Sequence, residues 1–356
     1  MRLRRVDVLA FHAPIASPAG NGVTLWRERR AALLRLEDED GHVGLGEAWA
    51  PSNDTGPVLD ALARIAAGAR AGSPPPPIAC AGAEDDVARA CASAWSLARA
   101  DLAARAAGLP LWAHLGGHAR VAAYASGGLY ADGKDEGALA AEMAGFVEAG
   151  FTRVKMKLGA LPLAADCLRI AAVRRAVGDA VHLVVDALSR HDRRSAPEAV
   201  ARYAGAGADA VQAPMPLEDL DGLAALAAGS PVPLWLGEAV GAQATWHRLA
   251  AIDGPLVLQV NPALAGGAGV LELARALGRP VTLQCHATAV LQAACLHLAG
   301  AMPLAVDVEH HRFHRHLHDL LPASARELRD GHVVLDDRPG LGFDLPPGDP
   351  RLVRLA

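Results

Sequence analysis

Two of the three lysines in this chain stand one residue apart, at Lys155 and Lys157. The third is Lys134, and arginine supplies every other side-chain cation of fixed charge among the 34 Lys plus Arg residues. Within Gly150–Gly159 the lysines alternate with Val154, Met156 and Leu158, which predicts a strand with both lysines on one face and the apolar residues on the other. Lysine, unlike arginine, can act as a base when burial and a neighbouring like charge lower its pKa. Two like charges on a buried strand cost stability, so the pair reads as a proton-transfer element. A solvated strand edge is the plainer alternative.

Further polar residues close short apolar runs downstream: Asp186, Gln212, Glu238, Asn261, His286 and Glu309. The first five follow one another at intervals of 26, 26, 23 and 25 residues, each the length of one strand–helix unit. The runs themselves are 154–158, 181–185, 210–212, 234–236, 257–260 and 281–284. Ala- and Leu-rich helical stretches accompany them at 136–149, 163–176, 196–206, 219–228, 243–252, 267–278 and 288–301. Such β-then-α repetition predicts a closed parallel barrel whose strand-end side chains ring one cavity. An open doubly wound sheet is the alternative, but no Gly-x-Gly-x-x-Gly follows any strand. A stop signal or salt bridge explains any one polar strand end; the whole set on one rim reads as a site.

Upstream the texture differs. Strands are predicted over 2–12, 29–37 and 43–48, with an Asp40-Gly41 turn between the last two. Residues 13–25, rich in Pro, Gly, Ser and Asn, read as a mobile loop closed by Trp26, and 51–57 as a second polar loop. Helices follow over 58–71 and 84–107, separated by a linker at 73–77. The expected organisation is an α+β capping domain over 1–120, a barrel over 121–325, and a segment over 326–356 that returns to the cap, with Asp330–Leu345 as a hairpin and extended stretch. A net charge of −5 gives no reason to expect nucleic acid or a membrane as partner. Five scattered cysteines without CxxC spacing suit a reducing compartment. Without an apolar leader or a bilayer-length apolar run, the expectation is a cytoplasmic protein acting on a small molecule.

Several local motifs then converge. Gly44-Leu-Gly-Glu-Ala48, the helix Ala92–Ala103, Gly108-Leu-Pro-Leu-Trp-Ala-His-Leu-Gly-Gly117, Lys155-Met-Lys157, Gly266-Gly267 and Pro339-Gly-Leu-Gly342 together resemble the enolase superfamily, nearly end to end. Within it, the resemblance is to the mandelate racemase and acid-sugar dehydratase group. It implies an α/β fold, a modified TIM barrel (β/α)7β with an N-terminal α+β cap completed by the C-terminal tail. The implied chemistry removes a proton α to a carboxylate and stabilises the resulting enediolate with Lys or His bases and Mg²⁺. By position the resemblance makes Lys157 the base, with Lys155 beside the substrate carboxylate lowering the Lys157 pKa. His286 becomes the second base of a racemase or the leaving-group acid of a dehydratase. Glu309 becomes the hydrogen-bond partner of the substrate carboxylate, and Asp186, Gln212 and Glu238 take the metal-ligand positions. A homo-oligomer, dimer or octamer, is implied likewise.

Departures from the pattern qualify this. Gln212 and Ala213 stand where acidic residues are expected, so the Mg²⁺ site is expected to be weakened, filled at most with substrate present. Asn261 replaces the aspartate that would partner the histidine; a neutral amide orients the ring without raising its pKa. Leu188 and Ser189 replace polar residues. Ser52, Asn53 and Asp54 are candidate readers of substrate hydroxyls, or a turn. Glu309–His318 holds five histidines, but its spacing fits no zinc motif and reads as a solvated loop and helix. The favoured function is a dehydratase or racemase acting on a small hydroxy-carboxylate, an acid sugar. A muconate-lactonising or epimerase-type isomerase is disfavoured because no lysine follows Lys157. The third reading is a lapsed homologue that binds a carboxylate without turning it over.

Overall fold

A computed structural model describes residues 2–50, 54–70, 86–312 and 318–356. Ser52 and Asn53, and the histidines at 314 and 316, lie outside the described residues.

Strands β1 (Leu3–Gly20), β2 (Leu25–Asp38) and β3 (Val43–Ala48) form an antiparallel meander. Helices α1 (Gly56–Arg70), α2 (Asp86–Ala106) and α3 (Leu111–His114) follow. The stretch 13–25, expected as a mobile loop, instead prolongs the β1–β2 ribbon as far as Gly20 opposite Leu25. Its two prolines, Pro14 and Pro18, are tolerated because the register breaks between Pro14 and Ala19. Asn21 Oδ1 accepts from the amides of Val23 and Thr24, closing the tip.

The glycines of Gly44-Leu-Gly46 have a steric reason. A Cβ on Gly44 or Gly46 would fall 2.0 Å from the carbonyl oxygens of Ala98 or Ala94 on α2. Only glycine lets β3 lie against that helix. The next motif residue, Glu47, is buried and reaches into the barrel. Its carboxylate accepts from Thr288 N (3.2 Å), Thr288 Oγ1 (2.6 Å) and Leu291 N (3.1 Å), and burial pushes its pKa up.

The barrel comprises β4 (Arg120–Ser126), α4 (Glu136–Glu148), β5 (Arg153–Lys157), α5 (Leu163–Val177), β6 (His182–Asp186) and α6 (Ala196–Gly205). It continues with β7 (Ala210–Gln212), α7 (Leu220–Gly229), β8 (Leu234–Leu236), α8 (Gln243–Ala250), β9 (Leu256–Val260) and α9 (Val270–Leu277). Strand β10 (Val281–Leu283), α10 (Ala289–Ala301) and β11 (Ala305–His311) complete it, and β11 closes the ring on β4 in parallel. This is a closed eight-stranded parallel barrel. Tyr124, Val184, Ala210 and Trp235 fill its interior.

After α11 (Ala323–Arg326), the tail departs from the expected hairpin. Strand β12 (His332–Val334) pairs antiparallel with β4, and β13 (Leu352–Arg354) pairs with β1. The intervening Pro339–Gly342 docks on α2 at Asp101. That fully buried carboxylate accepts from Leu45 N (2.8 Å) and Leu341 N (2.7 Å) and pairs with Arg105 (3.1 Å). It thereby joins β3, α2 and the tail. Asp101→Ala strands two buried amides and one cation at once, and should cost about 3–5 kcal/mol in urea unfolding. A loss under about 1 kcal/mol would contradict this role.

Candidate active site

Strand β5 delivers both lysines inward, as its alternation predicts, with Val154 and Met156 in the core. Lys155 Nζ lies 2.7 Å from Glu309 Oε1 and donates to Gln212 Oε1 at 3.1 Å. Lys157 Nζ donates to Asp186 Oδ2 at 2.5 Å. Gln212 Nε2 donates to Glu238 Oε2 at 2.7 Å. The ends of β5, β6, β7 and β11, and the turn after β8, are thus tied into one buried network. Glu309 Oε2 also accepts from Cys285 N at 3.2 Å, next to His286. His286 follows β10, three strands from Lys157 one way round the barrel and five the other.

Two residues of this network escaped the sequence reading. Gln259 on β9 donates to Gln212 Oε1 (3.2 Å) and to the Tyr124 hydroxyl (3.3 Å). Tyr124 lies beneath, its ring 5.6 Å from Lys155 Nζ. The available signal was Gln259 itself, one polar residue inside Leu256–Val260. Tyr124 gave little warning, because β4 is alanine-rich and did not stand out as a strand.

The electrostatics correct one expectation. Lys155 was expected to lower the Lys157 pKa, but Lys157 is raised: the carboxylates of Asp186, Glu238 and Glu309 outweigh the burial that opposes them. The free protein therefore stores this base as its conjugate acid. Glu238 is pushed up to about 7 by burial and by the Asp186 charge, with both lysines acting in the opposite direction.

The three metal-ligand positions adjoin one another, yet as arranged they do not fit a divalent ion. Lysine has only donors, so the Gln212 amide oxygen faces Lys155 and Gln259, and its NH₂ faces Glu238. An NH₂ group offers no lone pair where a cation shared with Glu238 would need one. Lys157 also occupies the Asp186 oxygen. Among the described residues, a set of three carboxylate or imidazole groups with ligand atoms within 4.8 Å occurs instead at Asp38, Asp40 and His42, in the β2–β3 turn. There Asp38 accepts from the amides of Asp40 and His42, which is turn chemistry.

Backbone strain marks the same rim. Leu188, Ser189 and Ala213 all have positive φ (53°, 57° and 45°), and Ser189 N donates to Ala213 O at 2.7 Å. Asp186 Oδ1 accepts from Leu188 N at 3.1 Å. The strained turns after β6 and β7 are therefore pinned to each other, fixing Asp186 relative to Gln212.

Asn261 does not orient His286. Its amide oxygen accepts from Ala263 N (3.0 Å), capping its own turn. The His286 ring instead lies 5.1 Å from Trp26 and 5.5 Å from His311, and its carbonyl accepts from Arg29 Nη2 at 2.6 Å. Asp54 is exposed just before α1, and among the described residues no hydrogen bond ties it to the strand-end network.

The histidine cluster is likewise corrected. Strand β11 runs on to His311, so His310 and His311 are buried, as is His318; the segment is not a solvated loop at these positions. The His311 and His318 rings lie 4.5 Å apart. Burial pushes His310 down to about 4, helped by Arg312. His297 on α10 falls to about 4 through burial too, and its Nδ1 accepts from Trp112 N at 3.1 Å. Both folded values lie below the unfolded 6.5. Stability is then whole above pH 6.5 and declines as pH falls from 6.5 towards 4, on the order of 3 kcal/mol for each ring. Urea midpoints measured across that window should fall, and less steeply in His297→Gln. A flat profile would show that these rings titrate normally.

Residues 138–348 match the family described as enolase C-terminal domain-like. The chain belongs to the enolase superfamily. Arabinonate dehydratase from Saccharolobus solfataricus is 31% identical over 258 residues, covering 70% of this chain and 68% of that protein. D-galactarolactone cycloisomerase from Agrobacterium fabrum is 30% identical over 346 residues, 89% and 90% of the two chains. A mandelate racemase/muconate lactonizing enzyme-like protein from Rubrobacter xylanophilus superposes with a TM-score of 0.77 at 27% identity, covering 97% of each chain. L-talarate/galactarate dehydratase from Salmonella typhimurium, liganded with Mg and L-lyxarohydroxamate, has a TM-score of 0.85 at 24% identity over 99% and 94% of the chains, a likeness of fold. The named relatives are enzymes, dehydratases and cycloisomerases, and the chain is an enzyme of this superfamily. Among the described residues, no helix is long and apolar enough to cross a membrane.

Proposed function

We propose that this protein removes the proton α to the carboxylate of a small acid sugar, then eliminates the β-hydroxyl. The observation that carries the reading is the buried network joining Lys155, Lys157, Asp186 and Glu309 at the strand ends of the barrel, with His286 three strands from Lys157. Lys155 and the adjoining Glu309 receive the substrate carboxylate, whose oxygens gain charge as the proton leaves. Lys157, an ammonium in the free protein, first gives a proton to solvent as a substrate hydroxyl replaces it as donor to Asp186, and the neutral amine then takes the α-proton. His286 gives a proton to the departing β-hydroxyl. The enol so formed becomes a 2-keto-3-deoxy acid.

Dehydration is favoured over racemisation because Asn261, an amide that caps its own turn, stands where an aspartate partner of His286 is expected, while leaving-group protonation needs only one proton from the imidazole. Mg²⁺ binding in this reading is weak, because the Gln212 amide must first turn over and release Lys155 and Glu238. The reading also keeps a cytoplasmic homo-oligomer without nucleic-acid or membrane partners. Incubation with a panel of aldonates and aldarates, followed by assay for 2-keto acids, tests it. Formation of an epimer without keto acid would redirect the assignment to racemisation.

A further inference from the structure

Strand β5 ends at Lys157, and Gly159 two residues on has a φ of 90°, so the chain turns away just where the proposed base is rooted. The support along that edge changes there too. Gly127 N, just past β4, donates to the Lys155 carbonyl at 3.0 Å. The next carbonyl facing the same way, that of Lys157, accepts from the Arg169 guanidinium at 2.9 Å instead of from a strand amide. Arg169 also donates to Gly128 O at 3.2 Å, just beyond the end of β4.

Arg169 is buried, and so is its partner Asp166, one turn earlier on α5 and 3.1 Å away. Asp166 Oδ2 accepts from Gly159 N at 2.8 Å. The pair thus ends on main-chain atoms either side of Leu158, the Lys157 carbonyl and the Gly159 amide. Tyr130 completes the arrangement. Its hydroxyl donates to Asp166 Oδ1 at 2.8 Å, and its ring centre lies 4.0 Å from the Arg169 guanidinium. Burial and the Asp166 charge push the Tyr130 pKa up, against Arg169, which keeps the hydroxyl a donor. The Tyr130 main chain exchanges two 2.8 Å hydrogen bonds with Gly20, near the tip of the β1–β2 ribbon. A Cβ on Gly22 in that tip would fall 2.9 Å from the Gly159 carbonyl carbon, so the tip rests on the same turn.

We propose that Arg169 and Tyr130 are positioning residues for the base: with Asp166 they fix the root of the Lys157 side chain and tie it to the tip of the cap ribbon. This rests on the reading of Lys157 as the α-proton base. Lysine carries its amine on a flexible stem, so the amine is placed only as well as its main chain is held, and a misplacement of about 1 Å can cost about 10²-fold in rate.

The test starts with carbon NMR of protein labelled at lysine Cε, without substrate and at fixed pH. The chain has three lysines, and the signal lost in Lys157→Ala assigns the one that matters. The variants are Arg169→Met, Arg169→Lys and Tyr130→Phe, the last keeping the ring and the Gly20 bridge. Arg174→Met is the control, because Arg174 braces the far end of α5, donating to Gly207 O at 3.0 Å and Val181 O at 2.7 Å. The Lys157 signal should move in Arg169→Met and less in Tyr130→Phe, with Arg169→Lys restoring part of the change. In Arg174→Met it should stay, whatever the loss of stability. At equal folded fraction, α-proton exchange should slow about tenfold or more in Arg169→Met, while acid-sugar affinity changes less than about threefold because Lys155 and Glu309 are untouched. An unmoved Lys157 signal in Arg169→Met and Tyr130→Phe would overturn the proposal; if Arg169→Met does not fold, Tyr130→Phe decides alone. An equal shift in Arg174→Met would overturn it too, marking general loosening of α5, as would full exchange in a variant whose signal has moved. The signal is read apart from turnover, which keeps the two readings separable. A moved signal with no exchange in the wild type would leave the positioning standing and sink the function. Exchange in the wild type with an unmoved signal in the variants would do the reverse.

Discussion

Gln212→Glu should turn a site that binds Mg²⁺ poorly into one that binds it at least about 100-fold more tightly. In the wild type, the two lysines nearly balance the three carboxylates of Asp186, Glu238 and Glu309, and the Gln212 amide bridges Lys155 to Glu238 without charge. A fourth carboxylate at this position would face Glu238, where an NH₂ now donates. Without metal, the variant should lose on the order of 3 kcal/mol of stability through an uncompensated buried charge. Millimolar Mg²⁺ should restore most of it by binding only the folded state. Calorimetry and urea unfolding, each with and without Mg²⁺, read the two effects separately. Equal Mg²⁺ affinity in wild type and variant would mean that the amide turns over freely and that the site is not degenerate.

The second large effect is expected at Lys157. Lys157→Ala should slow α-proton removal by about 10³-fold or more, within the range that a positioned general base supplies. Affinity for the acid sugar should change only a few-fold, because Lys155 and Glu309 remain. His286→Asn should behave differently. It should retain exchange of the α-proton while slowing elimination by about 10²-fold. Since Lys157 also neutralises Asp186, the alanine variant will be less stable, and rates must be compared at equal folded fraction. Unchanged exchange in Lys157→Ala would remove this residue from the chemistry.

The alternation of Lys155-Met-Lys157 sufficed to put both lysines on one buried face of β5, because period-two patterning fixes which face a strand residue takes. The regular intervals from Asp186 to His286 likewise locate successive strand ends, since each βα unit has a similar length. What the residues could not convey was pairing across the barrel. Nothing local says that Gln259 bonds Gln212, that Asn261 caps its own turn, or that Asp186 claims Lys157 and raises its pKa. Strand β4 was missed for the opposite reason: Arg-Val-Ala-Ala-Tyr-Ala-Ser has one β-branched residue among three alanines, a weak strand signal, and β4 is held by pairing with β5 and β11. The histidine cluster was misjudged because polarity outweighed length; β11 continues two residues past Glu309 and carries His310 and His311 into the interior.

Exchange of the α-proton in deuterium oxide, followed by proton NMR on the wild-type protein with acid sugars, tests the central claim most directly. Loss of the α-proton signal from at least one bound acid sugar, with or without the keto product, is the predicted result. Full retention of that signal for every acid sugar shown to bind would contradict it, and would leave a carboxylate-binding protein that keeps the superfamily's lysines without their chemistry.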